Sequence, residues 1–433
     1  MHIRSVFLGL LVATSSLISP AQAVEQTVVV LKAAHLFDAL SGTLMEPGMV
    51  VVAGEKIQAL GRELTIPAGA QVIDLGDATL MPGFIDAHVH MAGEMSNNWY
   101  GDWFNGMMRF PAEQALYGAH YASVTLLSGV TTVRDLGSAD FISLGMRNAI
   151  RAGMIPGPRM LVANYPIGAT GGHGDSNPIP PERTVATGVI QGVCNGADSC
   201  RAAVRSQIKY GADVIKLMPS GGVLSLTDPV DTPELTQEEI NAIVSEAHAW
   251  NRKAAAHCHG DKAAKMAIAA GVDSIEHGSF LQDDTLLEMK KKHIYLVPTL
   301  SAGDTVGLMA DKLPPAIGVK ATAASQQMQK MFQRAIKLGV PVAMGTDAGV
   351  GHHGTNAYEF VLMTRNGYTP AQALISGTAN GADLLGIAAQ TGTLQVGKYA
   401  DIVAVPGNVL SDISATQRPV LVMKEGHIYL GGK

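Results

Sequence analysis

Eight short apolar runs, each ending in polar residues and most followed by a helix-like stretch, constrain this chain more than any other feature. They are Phe84–His90, Thr131–Asp135, Met160–Ala163, Asp213–Leu217, Ala254–His257, Ser274–His277, Tyr295–Pro298 and Val340–Thr346. Between them lie stretches with helical character, such as Gln237–Trp250, Gly260–Ala270 and Ala321–Leu338. Apolar runs bounded by turn residues read as strands buried on both faces, and strands separated by helices pair in parallel. Eight such units predict an α/β fold, a (β/α)8 TIM barrel, whose functional residues gather at the C-terminal ends of the strands.

The flanks follow a different pattern. Thr27–Lys32, Gly48–Ala53 and Gln71–Leu75 are β-branched runs separated by Gly and Pro turns, with Gly54-Glu-Lys56 as a hairpin turn. Asp401–Val405 and Pro419–Leu430 return to that style. The expected organisation is a composite β-sandwich domain built from both termini, 24–82 plus 393–433, around a barrel at 83–392. Residues 1–23 combine a basic start at Arg4, an apolar run from Ser5 to Ile18 and a small-x-small sequence at Ala21-Gln-Ala23. That is the pattern of a signal peptide cut after Ala23, and the apolar run is shorter than the roughly 20 residues of a membrane span. A periplasmic or secreted protein is expected.

Of the three cysteines, Cys194 and Cys200 flank a short loop that either closes as a disulfide, as an oxidising compartment permits, or holds two free thiols. Cys258 lies between His257 and His259, and strand alternation turns it into the packing. With 47% hydrophobic residues and a net charge of -6, the chain offers no basic footprint for nucleic acid and no polybasic membrane patch.

The chemistry sits at the strand ends. His88 and His90 are two apart, so they project from the same face of a strand, as half a metal site. Lys216 stands inside the apolar Val214-Ile-Lys-Leu-Met218. Either it snorkels to the rim, or burial lowers its pKa and frees a neutral amine. Such an amine can take up carbon dioxide, and the resulting carbamate can bridge two metals. His257 and His259 share a face and compete for one ligand place. His257 ends the apolar run and is assigned as ligand, with His259 further out as a substrate group. His277 ends the sixth run. Asp347 follows the eighth, where it either caps a helix or binds a metal and accepts a proton from water.

These motifs resemble the metal-dependent amidohydrolase superfamily and, within it, the imidazolonepropionase-like group, which includes Xaa-Pro and Xaa-Lys/Arg dipeptidases and ochratoxin-degrading amidohydrolases. The match rests on Pro82-Gly-Phe-Ile-Asp-Ala-His-Val-His90, Lys216, His257, Ser274-Ile-Glu-His277-Gly, Gly345-Thr-Asp347-Ala-Gly and the closing Gly392–Val403. It covers essentially the whole chain after residue 23. The resemblance implies a distorted barrel and two divalent ions, zinc by preference. His88, His90 and Asp347 would hold one, His257 and His277 the other, and N6-carboxylysine at Lys216 would bridge them. It further implies that His173, in Gly171-Gly-His-Gly, polarises the scissile carbonyl or holds a carboxylate. Ser220 and Gly221, whose loop offers backbone N–H groups, and Tyr165 are further substrate candidates. Arg134 and His352-His353 are weaker ones, and Trp99, Tyr100, Trp103, Phe104, Met107 and Met108 form either a lid or plain packing. A homo-oligomer is expected.

The expected activity is hydrolysis of the amide bond in dipeptides or N-acyl amino acids with a free carboxylate, ochratoxin-like aryl amides included. Cyclic amides or lactones on the same centre are the alternative. Lys216 argues against a deaminase. The absence of a Gly-x-Ser-x-Gly elbow argues against a serine hydrolase.

Overall fold

The computed structural model describes residues 27–175, 179–183 and 186–432, so the expected signal peptide lies outside the described residues. The strands in chain order are β1 (Val28–Ala33), β2 (His35–Asp38), β3 (Thr43–Met45), β4 (Gly48–Ala53), β5 (Lys56–Gly61), β6 (Gln71–Asp74), β7 (Ala78–Pro82), β8 (Phe84–Val89), β9 (Val130–Asp135), β10 (Arg159–Val162), β11 (Val214–Leu217), β12 (Lys253–Cys258), β13 (Ser274–His277), β14 (Tyr295–Val297), β15 (Ile402–Pro406), β16 (Leu421–Lys424) and β17 (His427–Leu430).

Strands from the two ends of the chain share a sheet. One sheet has the order β5-β4-β1-β6 and another β17-β16-β15-β7-β2-β3. The antiparallel ladder from Pro82–Ile402 to Ala78–Pro406 joins the halves. Leu31, Val50, Leu80, Ile402 and Met423 belong to one buried cluster shared by the two sheets, which removes their β-branched and aliphatic faces from water.

The segments between run in parallel. β8, β9 and β10 form one ladder set and β11 to β14 another. Single bridges connect them: Ile167 with Leu217, Leu296 with Val342, and Val89 with Ala348. Hydrogen bonds therefore run from each of the eight expected segments to the next, and from the eighth back to β8. The eighth departs from expectation, because residues 340–346 form no continuous ladder. Pro341 has no N–H, the Met344 N–H donates to the Ser376 carbonyl, and the Thr346 N–H donates to the Asp86 carboxylate. The donors a ladder needs are spent elsewhere, which leaves the Asp347 loop free to bend with φ 58°.

The helices that matter for the site are α1 (Trp99–Met108), α2 (Pro111–Leu127), α3 (Ile142–Arg151), α4 (Ala197–Lys209), α5 (Gln237–Ala249), α6 (Asp261–Ala270), α7 (Asp283–Lys292), α8 (Leu300–Leu308), α9 (Pro315–Leu338) and α10 (Tyr358–Arg365). Thr236 and Glu239 make a reciprocal capping box at the start of α5. Cys194 and Cys200 are joined as a disulfide just before and within α4, and Cys258 is buried. Among the described residues, no helix is long and apolar enough to cross a membrane.

Candidate active site

His88, His90, Lys216, His257, His259, His277, His173 and Asp347 line one cavity at the C-terminal ends of the parallel strands. Two groups of donors converge there. His88, His90 and Asp347 bring one ligand atom each within 4.8 Å of one another, and so do His257, His259 and His277. Both members of the competing pair on β12 thus fall in the same cluster, with ring centroids 4.9 Å apart. Burial holds the His88 imidazole down at about 4 and His259 at about 3, and drives His257 and His277 well below the usual histidine range. Neutral imidazoles with free lone pairs are what a metal requires. Burial would also lower His90, but the adjoining Asp347 carboxylate outweighs it and raises that ring.

The ring orientations are set from outside the cavity. Nδ1 of His88 meets Glu276 Oε2 at 2.9 Å, that of His90 meets the Gly137 carbonyl at 3.0 Å, and that of His277 meets Thr299 Oγ1 at 2.8 Å. His259 Nδ1 meets Ser279 Oγ at 2.8 Å. In each ring Nε2 is left for the cavity. His257 is the exception, because its Nε2 lies 3.3 Å from the Gly221 carbonyl. Asp347 Oδ1 is buried without a hydrogen-bond donor, an orphan carboxylate oxygen beside two imidazoles. That orphan and the neutral donor set fit a divalent metal centre.

Lys216 is 1% exposed, and burial pulls its amine down to about 8. Among the described residues its amine makes no hydrogen bond. Glu276 and Arg134 form the polar layer beneath. Arg134 donates to Glu276 Oε1 and Ser274 Oγ at 2.9 and 3.1 Å, and to the Ala87 carbonyl. Burial would raise the Glu276 carboxyl, but the Arg134 charge and the His88 hydrogen bond outweigh it and hold the carboxyl at about 2. Asp86 joins the loop of Asp347 to β8, accepting from Thr346 Oγ1 at 2.6 Å and Asn356 Nδ2 at 2.8 Å.

Several candidates sit elsewhere. Arg134 is a buried strut and not a pocket residue. Ser220 Oγ accepts from the His259 N–H and donates to the Gly221 carbonyl, while the Gly221 N–H donates to the Thr232 carbonyl. The Gly222 N–H donates to Asp228. This loop has no N–H free for a substrate carboxylate at Gly221 or Gly222, because it closes on itself. Tyr165 lines a second cavity beyond His90 and exchanges hydrogen bonds with Asp140. His352 pairs with Glu94, and His353 stacks on Tyr121, so neither lines the first cavity. The aromatics at 99–104 and the methionines at 107–108 form α1, which has no buried residue, and Trp99 packs against the same buried cluster as Leu224 and Val350, which line the cavity.

His173 does face the cavity. Its Nδ1 meets Ser225 Oγ at 3.0 Å, and its ring lies 4.5 Å from that of His257. A side chain at Gly222 would put a Cβ 2.0 Å from this imidazole, so the close approach requires glycine there. Glu276, Thr299 and Asp86 are the functional residues not read from the sequence. Glu276 carried a signal, since a carboxylate between apolar strand residues is costly unless it is paired.

The amidohydrolase family model matches residues 79–429. This chain belongs to the amidohydrolase family. The amidohydrolase is 34% identical to the ochratoxinase of Aspergillus niger over 374 residues, covering 82% of this chain and 75% of that one. A crystal structure of a Xaa-Pro dipeptidase with bound methionine in the active site superposes with a TM-score of 0.90 at 36% identity, covering 94% of this chain and all of that one. A prolidase complexed with N-methylphosphonate-L-proline gives 0.85 at 30% identity, with 94% and 100% covered. The amidohydrolase is a hydrolase of amide C–N bonds. In this enzyme Glu276→Gln is expected to keep the fold and lower metal affinity about 10- to 100-fold, because the amide orients His88 less firmly. Metal retention during dialysis against graded chelator checks this, and wild-type retention would refute it.

Proposed function

We propose that this amidohydrolase is a secreted, binuclear metal enzyme that hydrolyses dipeptides or N-acyl amino acids with a free carboxylate and an apolar side chain, ochratoxin-like aryl amides included. The observation that carries the substrate reading is the cavity wall. Beside the polar cluster it consists of Val223, Leu224, Ala302, Val306, Met328 and Val350. Among the described residues its lining has no carboxylate other than Asp347 to receive a cationic side chain. The ring of parallel segments is read as the distorted (β/α)8 barrel, and the two shared-terminus sheets as the composite β-sandwich.

His88, His90 and Asp347 would hold one divalent ion, His257 and His277 the other, most simply zinc, with carbamylated Lys216 between them. Bound there, the ions would supply Lewis-acid polarisation of the carbonyl and a water acidic enough to ionise near neutrality. The Lys216 amine, once neutral, adds to carbon dioxide and releases a proton, leaving the carbamate. Asp347, with an unpartnered carboxylate oxygen, takes the proton of the attacking water and returns it to the leaving nitrogen. His173 presents Nε2 to the substrate, its Nδ1 being tied to Ser225. The apolar wall seats the side chain and excludes bulk water.

Export rests on the leader at 1–23, cut after Ala23, and is supported by the Cys194–Cys200 disulfide, which persists in oxidising compartments. A homo-oligomer is supported by α1, where Tyr100, Phe104 and Met108 stand more than half exposed. The zinc-loaded enzyme should release the amino acid from N-acyl and Xaa substrates bearing Phe, Met or Leu at least about tenfold faster than from Lys or Asp counterparts, the gap expected of one or two kcal/mol of apolar burial. Equal rates would remove the apolar-wall argument. Cleavage confined to lactones or cyclic amides would replace the linear-amide reading.

A further inference from the structure

The loop that carries Gly222 is held to the His173 loop by two carboxyl groups that the reaction does not use. Glu234 Oε2 accepts from the His173 backbone N–H at 2.8 Å, and Asp228 Oδ2 accepts from the Gly222 N–H at 2.7 Å. The other oxygen of each, Glu234 Oε1 and Asp228 Oδ1, is buried with no hydrogen-bond donor among the described residues. The two side chains are nonetheless within hydrogen-bonding contact of each other. The nearby cation cannot serve them. Lys320, on α9, donates to the carbonyls of Gly222, Ser225 and Asp228 at 2.8, 2.6 and 2.9 Å, which uses its three N–H bonds. Two carboxyl groups in contact, each with a buried oxygen that has no donor among the described residues, leave room for one occupant, a proton.

We propose that Asp228 and Glu234 share one proton, and that this acid pair is a positioning latch that holds the 220–234 loop against His173. The inference rests on the reading of His173 as a substrate contact, but its geometry does not depend on the metals. Among the described residues the groups facing the pair are His173, Ser225 and Lys320; Ser225 bonds to the Asp228 carboxylate, but none of the three donates to the two orphan oxygens. The direction of titration agrees. Burial, with the Asp228 charge adding to it, pushes the Glu234 carboxyl up to about 7, while hydrogen bonds from Ser225 and Gly222 hold Asp228 below the usual range against burial. Because Glu234 is raised in the closed loop, the latch is complete below its ordinary value of about 4.5 and is lost as pH rises through about 7. Above that, two like charges meet without a proton, the loop loosens, and His173 loses the Gly222 surface beneath its ring.

Amide hydrogen exchange on the metal-loaded enzyme tests this without recourse to turnover. Rates for residues 220–234 are compared at pH 5.5 and 8.5 after correction for the intrinsic base-catalysed rate. Protection in the wild type should fall about tenfold or more at pH 8.5. In E234Q the amide can donate to Asp228 and its carbonyl can still accept from the His173 N–H, so protection should be equal at both pH values. D228N provides the same test from the other side if E234Q does not fold. The accompanying rise in KM at alkaline pH should vanish in the same variants. Protection in the wild type that ignores pH overturns the latch, and so does wild-type pH dependence persisting in either variant. An enzyme that cleaves no amide while its loop follows the expected pattern refutes the substrate reading and leaves the latch standing.

Discussion

Lys216→Ala is expected to lower kcat by at least about 1,000-fold, which is the loss of roughly 4 kcal/mol of transition-state stabilisation. The argument starts from burial. The Lys216 side chain is 1% exposed and its amine makes no hydrogen bond among the described residues, so alanine removes the packing of its methylenes and the buried amine but no hydrogen bond. On the proposed reading it would, as a carbamate, supply two oxygens between the two donor clusters, and alanine would supply none. The variant should fold, since the strand around it is apolar and Lys216 breaks no ion pair by leaving. Metal content measured on the purified variant should fall below two ions per chain. A short carboxylate such as acetate or formate, diffusing into the space left, should restore part of the activity. A variant that keeps both ions and stays within tenfold of wild-type kcat would end the bridging role.

Asp347→Asn is the second large effect, a fall in kcat of about 100- to 10,000-fold with a much smaller change in KM. Asparagine preserves the volume of the side chain and the turn at φ 58°, which asparagine tolerates. What it removes is the buried anionic oxygen beside His88 and His90. The substrate still meets the apolar wall, so binding persists, while the proton of the attacking water has no acceptor. Stopped-flow binding of a slow substrate alongside steady-state rates separates the two. A rise in KM with kcat intact would make Asp347 a binding residue and not a proton carrier.

How much of this was legible in the sequence depends on what each residue answers to. The strand segments and the polar residues that end them follow from local pattern, and His88, His90, Lys216, His257, His277 and Asp347 do line a single cavity. The eighth segment kept its apolar pattern but lost its ladder, because its donors go to Ser376 and Asp86, partners that no local pattern reveals. The loop at 220–222 reads in sequence as either a cradle of N–H groups or a tight turn. In the fold those groups are spent on Thr232 and Asp228, and Lys320 from a distant helix fixes the carbonyls. Arg134 looked like a pocket cation and is a strut, because it is buried and pairs with Glu276, itself fully buried on β13. Strand-end chemistry is written in spacing of two and in local hydropathy. The supports of that chemistry are written in contacts between residues far apart along the chain.

The ladder between β7 and β15 has a consequence for the order of assembly. Pro82 pairs with Ile402, and the whole ring of parallel segments is strung between them. As the chain folds, β7 can pair by one edge with β2 while its other edge stays bare until β15 arrives. Pairing of such long sequence separation is slow, and an apolar strand edge held open is a template for the wrong neighbour. The end of the chain therefore acts as a closing seam, and chains truncated before β15 should be the species that aggregate.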